Sequence, residues 1–262
     1  MTSYTVNSSI LLTDLPLLRR PAAAAAAGFG AVEFWWPFAV AVPTDPEIDA
    51  FVTAISDAGV QLSGLNFFAG DMPAGDRGLV SWVGREAEFR DNVEVVAGIG
   101  ERLGCRGFNA LYGLRVDGVA PEAADELAVE NLRFAADRIA RIDGTVFVEP
   151  VSGAPAYPVK TAADALAVIE RVDTDNLKLL ADFYHLATNG DDVAAVIAQH
   201  ARSFGHVQIA DAPGRGRPGS GTLPLTEWLA AAAAGGYDGY VGLEYADASD
   251  DPFGWLPTPE RS

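Results

Sequence analysis

The sequence predicts a single-domain α/β protein, a (β/α)8 TIM barrel spanning residues 1–262, on three observations. Strand-like apolar runs alternate strictly with helix-forming stretches, eight times along the chain, which is the pattern of parallel βαβ units with right-handed crossovers. The length of 262 residues is close to the roughly 250 of one such barrel. Finally, four runs in the second half share one design: TVFVEP (145–150), LKLLADFYH (177–185), GHVQIAD (205–211) and GYVGLEY (239–245). Each is apolar at nearly every position, as a strand buried on both faces must be, and each carries one oxygen-bearing side chain late in the run. Those residues are Glu149, Asp182, Gln208 and Glu244, spaced 33, 26 and 36 residues apart, close to the roughly 30 residues of a strand-plus-helix unit. Four consecutive units thus deliver four oxygen ligands to one rim.

The elements follow in order. YTVNSSI (4–10) has strand character, and a helix-forming stretch from 15 to 27 closes at Gly28. AVEFWW (31–36) is the second strand, stopped by Pro37, and a helix over 46–58 follows. The third strand, 60–66, ends near Asn66 and opens into a Gly/Pro-punctuated loop to residue 78, long enough to be functional. A helix over 85–103 presents Val93, Val96 and Ile99 at helical spacing and stops at Gly104. The fourth strand is 106–113, and a long helix over 121–141 leads to the fifth strand. Helices over 161–172, 190–201 and 224–234 separate the remaining strands, and the tail from 246 is irregular. The Gly-rich loop 211–224 follows the seventh strand, where such barrels often grip anions; Arg215 and Arg217 lie in it, and a flexible solvent loop is an equal alternative.

Three carboxylates aimed into one mouth repel one another, by about 4 kcal/mol per pair at about 4 Å and an effective dielectric of about 20. A divalent cation relieves that repulsion, and an all-oxygen set suits Mg2+ or Mn2+ better than Zn2+. Thiolate ligation is excluded because Cys105 is the only cysteine. His185 is placed for substrate or supporting contact, or for a structural hydrogen bond; His206, on the same strand face as Gln208 but one layer deeper, reads as support, and His200 as surface. Glu33, inside an apolar strand, needs either a rim arginine or a surface orientation. The aromatics Trp35, Trp36, Phe38, Phe67 and Phe68 read as packing before substrate wall.

The net charge of −18, from 18 Lys and Arg against 36 Asp and Glu, argues against nucleic acid and anionic membrane as partners. No apolar run has the length of a membrane span, the N-terminus lacks signal-peptide character, and a lone cysteine fits a reducing compartment; a cytoplasmic location is expected. Self-association is compatible with all of this. No GxGxxG or Walker pattern follows the first strand, which leaves nucleotide binding without support.

The stretches VEPVSGAPAYPV, NLKLLADFYHLATNGDD, GHVQIADAPGRGRPGSG and GYDGYVGLEY resemble the hydroxypyruvate isomerase family of the xylose isomerase-like TIM barrels. NFFAGDMPAGDRG, REAEFRDNV and VENLRFAA are similar to that family's first half, so the resemblance covers nearly the whole chain. It implies a divalent metal ion held by Glu149, Asp182, Gln208 and Glu244, with Glu149 and Glu244 as the proton-transferring catalytic pair. It also implies substrate contacts from His185. Independently of the resemblance, Asn66, Arg215 and Arg217 are further substrate-binding candidates. Arg217 and Thr222 stand where the family usually carries acidic residues, which bears on substrate preference. The activity implied is isomerisation of a small hydroxy-carbonyl acid, hydroxypyruvate to tartronate semialdehyde, through an enediolate. Alternatives are a ketose 3-epimerase or inosose-dehydratase-like enzyme on the same metal site, a phosphodiesterase or DNA-repair barrel, and a non-catalytic sugar-acid binding protein.

Overall fold

The computed structural model describes residues 2–261. Eight strands close into one barrel in sequence order: β1 Ser3–Asn7, β2 Ala31–Phe34, β3 Gln61–Asn66, β4 Gly107–Asn109, β5 Thr145–Val148, β6 Leu177–Asp182, β7 Phe204–Ile209 and β8 Tyr240–Leu243. Each strand pairs in parallel with the next, and β8 returns to β1 through Ser3–Tyr240 and Val6–Leu243. The helices are α1 Arg20–Ala26, α2 Asp45–Ala58, α3 Glu86–Leu103, α4 Pro121–Ala140, α5 Ala162–Val172, α6 Phe183–Asn189, α7 Val193–His200 and α8 Leu225–Ala234. The core lies in two shells. Outward strand residues such as Val32, Leu62, Val146, Leu179 and Val207 are buried beneath helix faces that include Val93, Val96, Leu132 and Ile139.

Several boundaries depart from the sequence reading, each for a local reason. Strand β1 stops at Asn7, where the Asn7 carbonyl accepts from Ile10 and Leu11 and turns the chain. Strand β4 keeps only three residues, because beyond Asn109 and Ala110 the chain leaves the barrel wall and Tyr112 is tied to the Tyr157 hydroxyl. The stretch 177–185 is not one strand: Asp182 ends β6 and caps α6, accepting from the Tyr184 and His185 backbone N–H groups at 2.8 and 3.1 Å. Phe183 and Leu186 pack inward from this short helix, so its apolar sequence reads as strand. The tail is turns and one 3-10 turn, Thr258–Glu260. Its Arg261 guanidinium donates to the carbonyls of Ala27, Phe253 and Leu256.

The barrel floor is stopped by one aromatic ring. Phe147 stacks on His206 with centroids 5.8 Å apart. Gly107 and Gly205 flank it, and a Cβ on either would come within 3 Å of the ring.

The loop 211–224 is an ordered structure. The buried Asp211 carboxylate accepts from the backbone N–H groups of Ala212, Gly219, Gly221 and Leu223, all at 2.9–3.0 Å, and Asp211 pairs with Gly216 in a bridge. Those N–H groups are therefore spent on Asp211 and do not form an anion nest. Among the described residues, no helix is long and apolar enough to cross a membrane.

Replacing Asp211 by Ala strands these donors at once, and a buried donor left unpaired costs about 1–3 kcal/mol. Asp211→Ala is expected to lower the urea midpoint by more than this single-bond figure implies and to open the loop to proteolysis, read by limited digestion.

Candidate active site

At the C-terminal mouth of the barrel lies a cleft of about 1140 Å³. Its base carries Glu149, His185, Arg215 and Glu244, and its walls include Trp35, Trp36, Phe38 and Phe68. Glu149 and Glu244 stand one residue past the ends of β5 and β8, and Asp182 is the last residue of β6. All three are at most 5% exposed.

Each carboxylate is held by a neighbour that fixes one oxygen. Asn109 donates to Glu149 Oε2 at 2.6 Å, and the Tyr157 hydroxyl donates to the Glu149 carbonyl at 3.1 Å. The indole of Trp35 donates to Glu244 Oε1 at 2.5 Å. Capping of α6 engages Asp182 Oδ1 and leaves Oδ2 facing the site. Gln208 donates from Nε2 to Glu33 at 2.8 Å. After these bonds, Asp182 Oδ2, Gln208 Oε1, Glu244 Oε2 and Asn109 Oδ1 are buried without a hydrogen-bond donor. Four unsatisfied acceptors below one cleft are unusual, because buried oxygens are normally paired. This donor-free oxygen set fits a hard cation. Glu149, Asp182 and His185 each offer a ligand atom within 4.8 Å of one another, a grouping able to hold a metal ion.

His185 belongs to that group by position, but its chemistry is that of a donor. The Ser152 backbone N–H donates to His185 Nδ1 at 3.1 Å, which places the proton of the neutral ring on Nε2. Nε2 lies 3.8 Å from Glu149 Oε1 and 3.7 Å from Asp182 Oδ2. Burial holds the ring neutral, lowering its pKa to about 4, with Asp182 opposing the shift and Arg215 adding to it.

Arg215 is the cation in the mouth. Its Nη2 is 3.0 Å from Glu244 Oε2 and 3.8 Å from Asp182 Oδ2, ion-pair distances without hydrogen-bond geometry to either oxygen. Burial lowers its pKa, but the charges of Glu244, Asp182 and Glu149 outweigh that and raise it. The residue adopts φ +55°, held by the Ala246 N–H bonding to its carbonyl at 2.8 Å.

Asn66 lines the cleft from the end of β3, as its position at a strand terminus suggested. Arg217 does not reach it. Two residues beyond Arg215, it turns outward to Asp247 at 3.8 Å and borders a separate cavity with Trp255. Glu33 is also corrected: it neither meets a rim arginine nor faces solvent, but lies inside the barrel against Asn7, His206 and Gln208. Trp35, Asn109 and Ser152 are contacts the sequence reading missed. Trp35 is 209 residues from its partner, and only the aromatic pair at the end of β2 hinted at it. Phe67 packs in the core against Phe89 and Phe108, whereas Phe68, Trp36 and Phe38 do form cleft wall.

A profile described as "Xylose isomerase-like TIM barrel" matches residues 21–260. The chain belongs to the xylose isomerase-like TIM barrel family. Within it, the chain is 52% identical to a Streptomyces coelicolor protein named "Putative hydroxypyruvate isomerase", over 99% of this chain and 97% of that one. It is 32% identical to the "Hydroxypyruvate isomerase" of Escherichia coli K12, over 94% and 93% of the two chains. Among solved structures it resembles one titled AP endonuclease, family 2, from Brucella melitensis, with a TM-score of 0.91, 32% identity and complete coverage of both chains. With its xylose isomerase-like fold and these relatives, the protein is an enzyme of the isomerase class rather than a binding module.

The charge state of the mouth has a consequence for stability. Burial first, then the charge of Asp182, pushes the Glu149 carboxyl up to about 8, against the pull of Asn109 and Arg215. Burial likewise raises Glu244 well above the usual range; Arg215 opposes the shift while Glu149 and Asp182 add to it. A raised carboxyl stabilises the fold below its unfolded value of 4.5 and loses that contribution as pH climbs to about 8. His185, lowered to about 4, acts in the opposite sense only below its unfolded value of 6.5. Between pH 6.5 and 8, then, the thermal midpoint of chelator-treated protein is expected to fall, and to fall less in Glu149→Gln.

Proposed function

We propose that the enzyme interconverts hydroxypyruvate and tartronate semialdehyde, or a close hydroxy-carbonyl acid, by proton transfer between adjacent carbons at a divalent metal centre. The observation that carries this reading is the pair of buried oxygens left without a hydrogen bond on Asp182 and Gln208, level with one another on β6 and β7, beside the cleft carboxylates Glu149 and Glu244. Glu149, Asp182, Gln208 and Glu244 would hold the ion, Mg2+ or Mn2+ by their hard oxygen chemistry. When bound, such an ion supplies Lewis-acid stabilisation of negative charge developing on the substrate's adjacent oxygens.

The protein's own groups do the rest. One glutamate of the Glu149–Glu244 pair takes the proton from the hydroxyl-bearing C3, and the other delivers a proton to C2; a proton passes from the C3 oxygen to the C2 oxygen, and the carbon skeleton is unchanged. Asn109 and Trp35 hold the two carboxylates in fixed orientation, and positioned acid-base transfer of this kind contributes about 10²- to 10⁴-fold. His185 Nε2–H is aimed at the same space and can donate to a substrate oxygen. Arg215 is the cationic partner for the substrate carboxylate, while Arg217 is too far outside to serve. The half-buried Trp35, Trp36 and Phe38 exclude water from one side of the reacting centre.

The size of the cleft favours a second reading of the substrate within the same chemistry. A three-carbon acid fills only a small part of about 1140 Å³. A relative 34% identical over 98% of this chain is named 2-oxo-tetronate isomerase, from Cupriavidus necator. A four-carbon 2-oxo acid is therefore the comparison substrate.

Glu149→Gln and Glu244→Gln should each remain folded by circular dichroism and lose more than about a hundredfold in kcat, the scale of one acid-base group. With Mn2+ or Mg2+ in deuterated water, the unmodified enzyme should place solvent deuterium on product carbon; product without label rejects proton transfer. Arg215→Ala is expected to raise KM for the acid substrates far more than Arg217→Ala, which should leave it within about twofold, as for a surface ion pair. Because protons and the ion compete for Glu149 and Glu244, Mn2+ affinity by calorimetry should rise between pH 6.5 and 8.

A further inference from the structure

The barrel encloses a fourth carboxylate that none of these steps uses. Glu33, on β2, is 4% exposed. Its Oε1 accepts from Asn7 Nδ2 at 3.0 Å and from Gln208 Nε2 at 2.8 Å, and its Oε2 accepts from His206 Nε2 at 2.6 Å. The chain makes room for it deliberately. The β2–β3 register shifts between Val32 and Glu33, where Gly64 is the β3 partner of Glu33, and Gly242 on β8 leaves space for its carboxylate. A Cβ on Gly242 would lie 2.6 Å from Glu33 Oε1 and 2.8 Å from Gln208 Cγ, and one on Gly64 would lie 3.4 Å from Glu33 Cβ.

A side-chain amide has two faces that only chemistry can tell apart. A carboxylate accepts and does not donate, so the amide group turned toward Glu33 is the NH2. The carbonyl oxygen of Gln208 is then forced to the other side, level with Asp182 across the β6–β7 pair, where it has no donor. We propose that Glu33, steadied by His206 and Asn7, is a positioning residue that locks the Gln208 amide so that its oxygen, never its NH2, faces the metal centre. The inference rests on the metal-centre reading given above. A flipped amide would present two N–H dipoles to a cation and remove one ligand from the set.

Glu33→Gln keeps the shape but abolishes the preference, because an amide at 33 pairs with Gln208 in either orientation. Mn2+ affinity, measured by calorimetry on the folded variant, is expected to weaken by about tenfold or more, the scale of lost support behind a ligand. At saturating Mn2+ most of kcat should return. The exchange Glu33→Gln with Gln208→Glu restores a donor facing an acceptor, now with a carboxylate at the ligand position, and should recover much of the affinity. A folded Glu33→Gln protein that binds Mn2+ as the unmodified protein does overturns the proposal while leaving the metal centre intact. An unmodified protein that binds no Mn2+ overturns both. Should Glu33→Gln not fold, nuclear magnetic resonance of the unmodified protein decides: the Gln208 NH2 should stay protected from solvent exchange with and without Mg2+. Release of that NH2 when Mg2+ is added overturns the assignment.

Discussion

Four carboxylates, Glu33, Glu149, Asp182 and Glu244, are buried inside one barrel, and the rest of the site is arranged around their mutual repulsion. Unpaired, buried like charges are among the least tolerable features a folded chain can carry. The structure disperses the problem over two levels. Below, Glu33 is surrounded by three donors, which stand in for the water it has lost. Above, one half-buried guanidinium, Arg215, lies against Glu244 and near Asp182, while Glu149 has an amide and no ion pair with arginine or lysine. The upper level is therefore electrostatically incomplete, and that deficit is what a divalent cation would fill.

Placement of these groups follows from ordinary chain physics. Successive parallel strands deliver inward side chains at their C-terminal ends, and each loop that follows is pinned by contacts of its own. Asp182 shows the economy of this: one oxygen satisfies the first turn of α6 and the other is left for the site. Asp211 does similar work one strand later. By gathering four backbone donors it orders the glycine-rich loop, while the Ala246 N–H holds the carbonyl of Arg215 at its unusual backbone angle. Arg215 and Arg217, two residues apart on that loop, thus turn to different carboxylates, Glu244 within the mouth and Asp247 outside it.

The barrel was legible in the sequence because closure leaves a periodic trace: apolar runs at near-constant spacing, each with a polar residue at the same end. The rim residues Glu149, Asp182 and Glu244 could be read from that trace alone. The supporting residues could not, since their partners are distant in sequence: Trp35 meets Glu244, Asn109 meets Glu149, and His206 meets Glu33 across 173 positions. Helix α6 was hidden for another reason, because FYHL after an aspartate has the composition of a strand continuing, and only the cap geometry reveals the change. In the loop after β7, two arginines of equal sequence character acquired different surroundings through backbone angles that composition does not encode.

The Phe147 ring, wedged between Gly107 and Gly205, corks the lower end of the barrel axis. The catalytic chamber is consequently a cul-de-sac with a single doorway. Whatever leaves must pass through the space that the next arrival needs, so exit and entry share one vestibule.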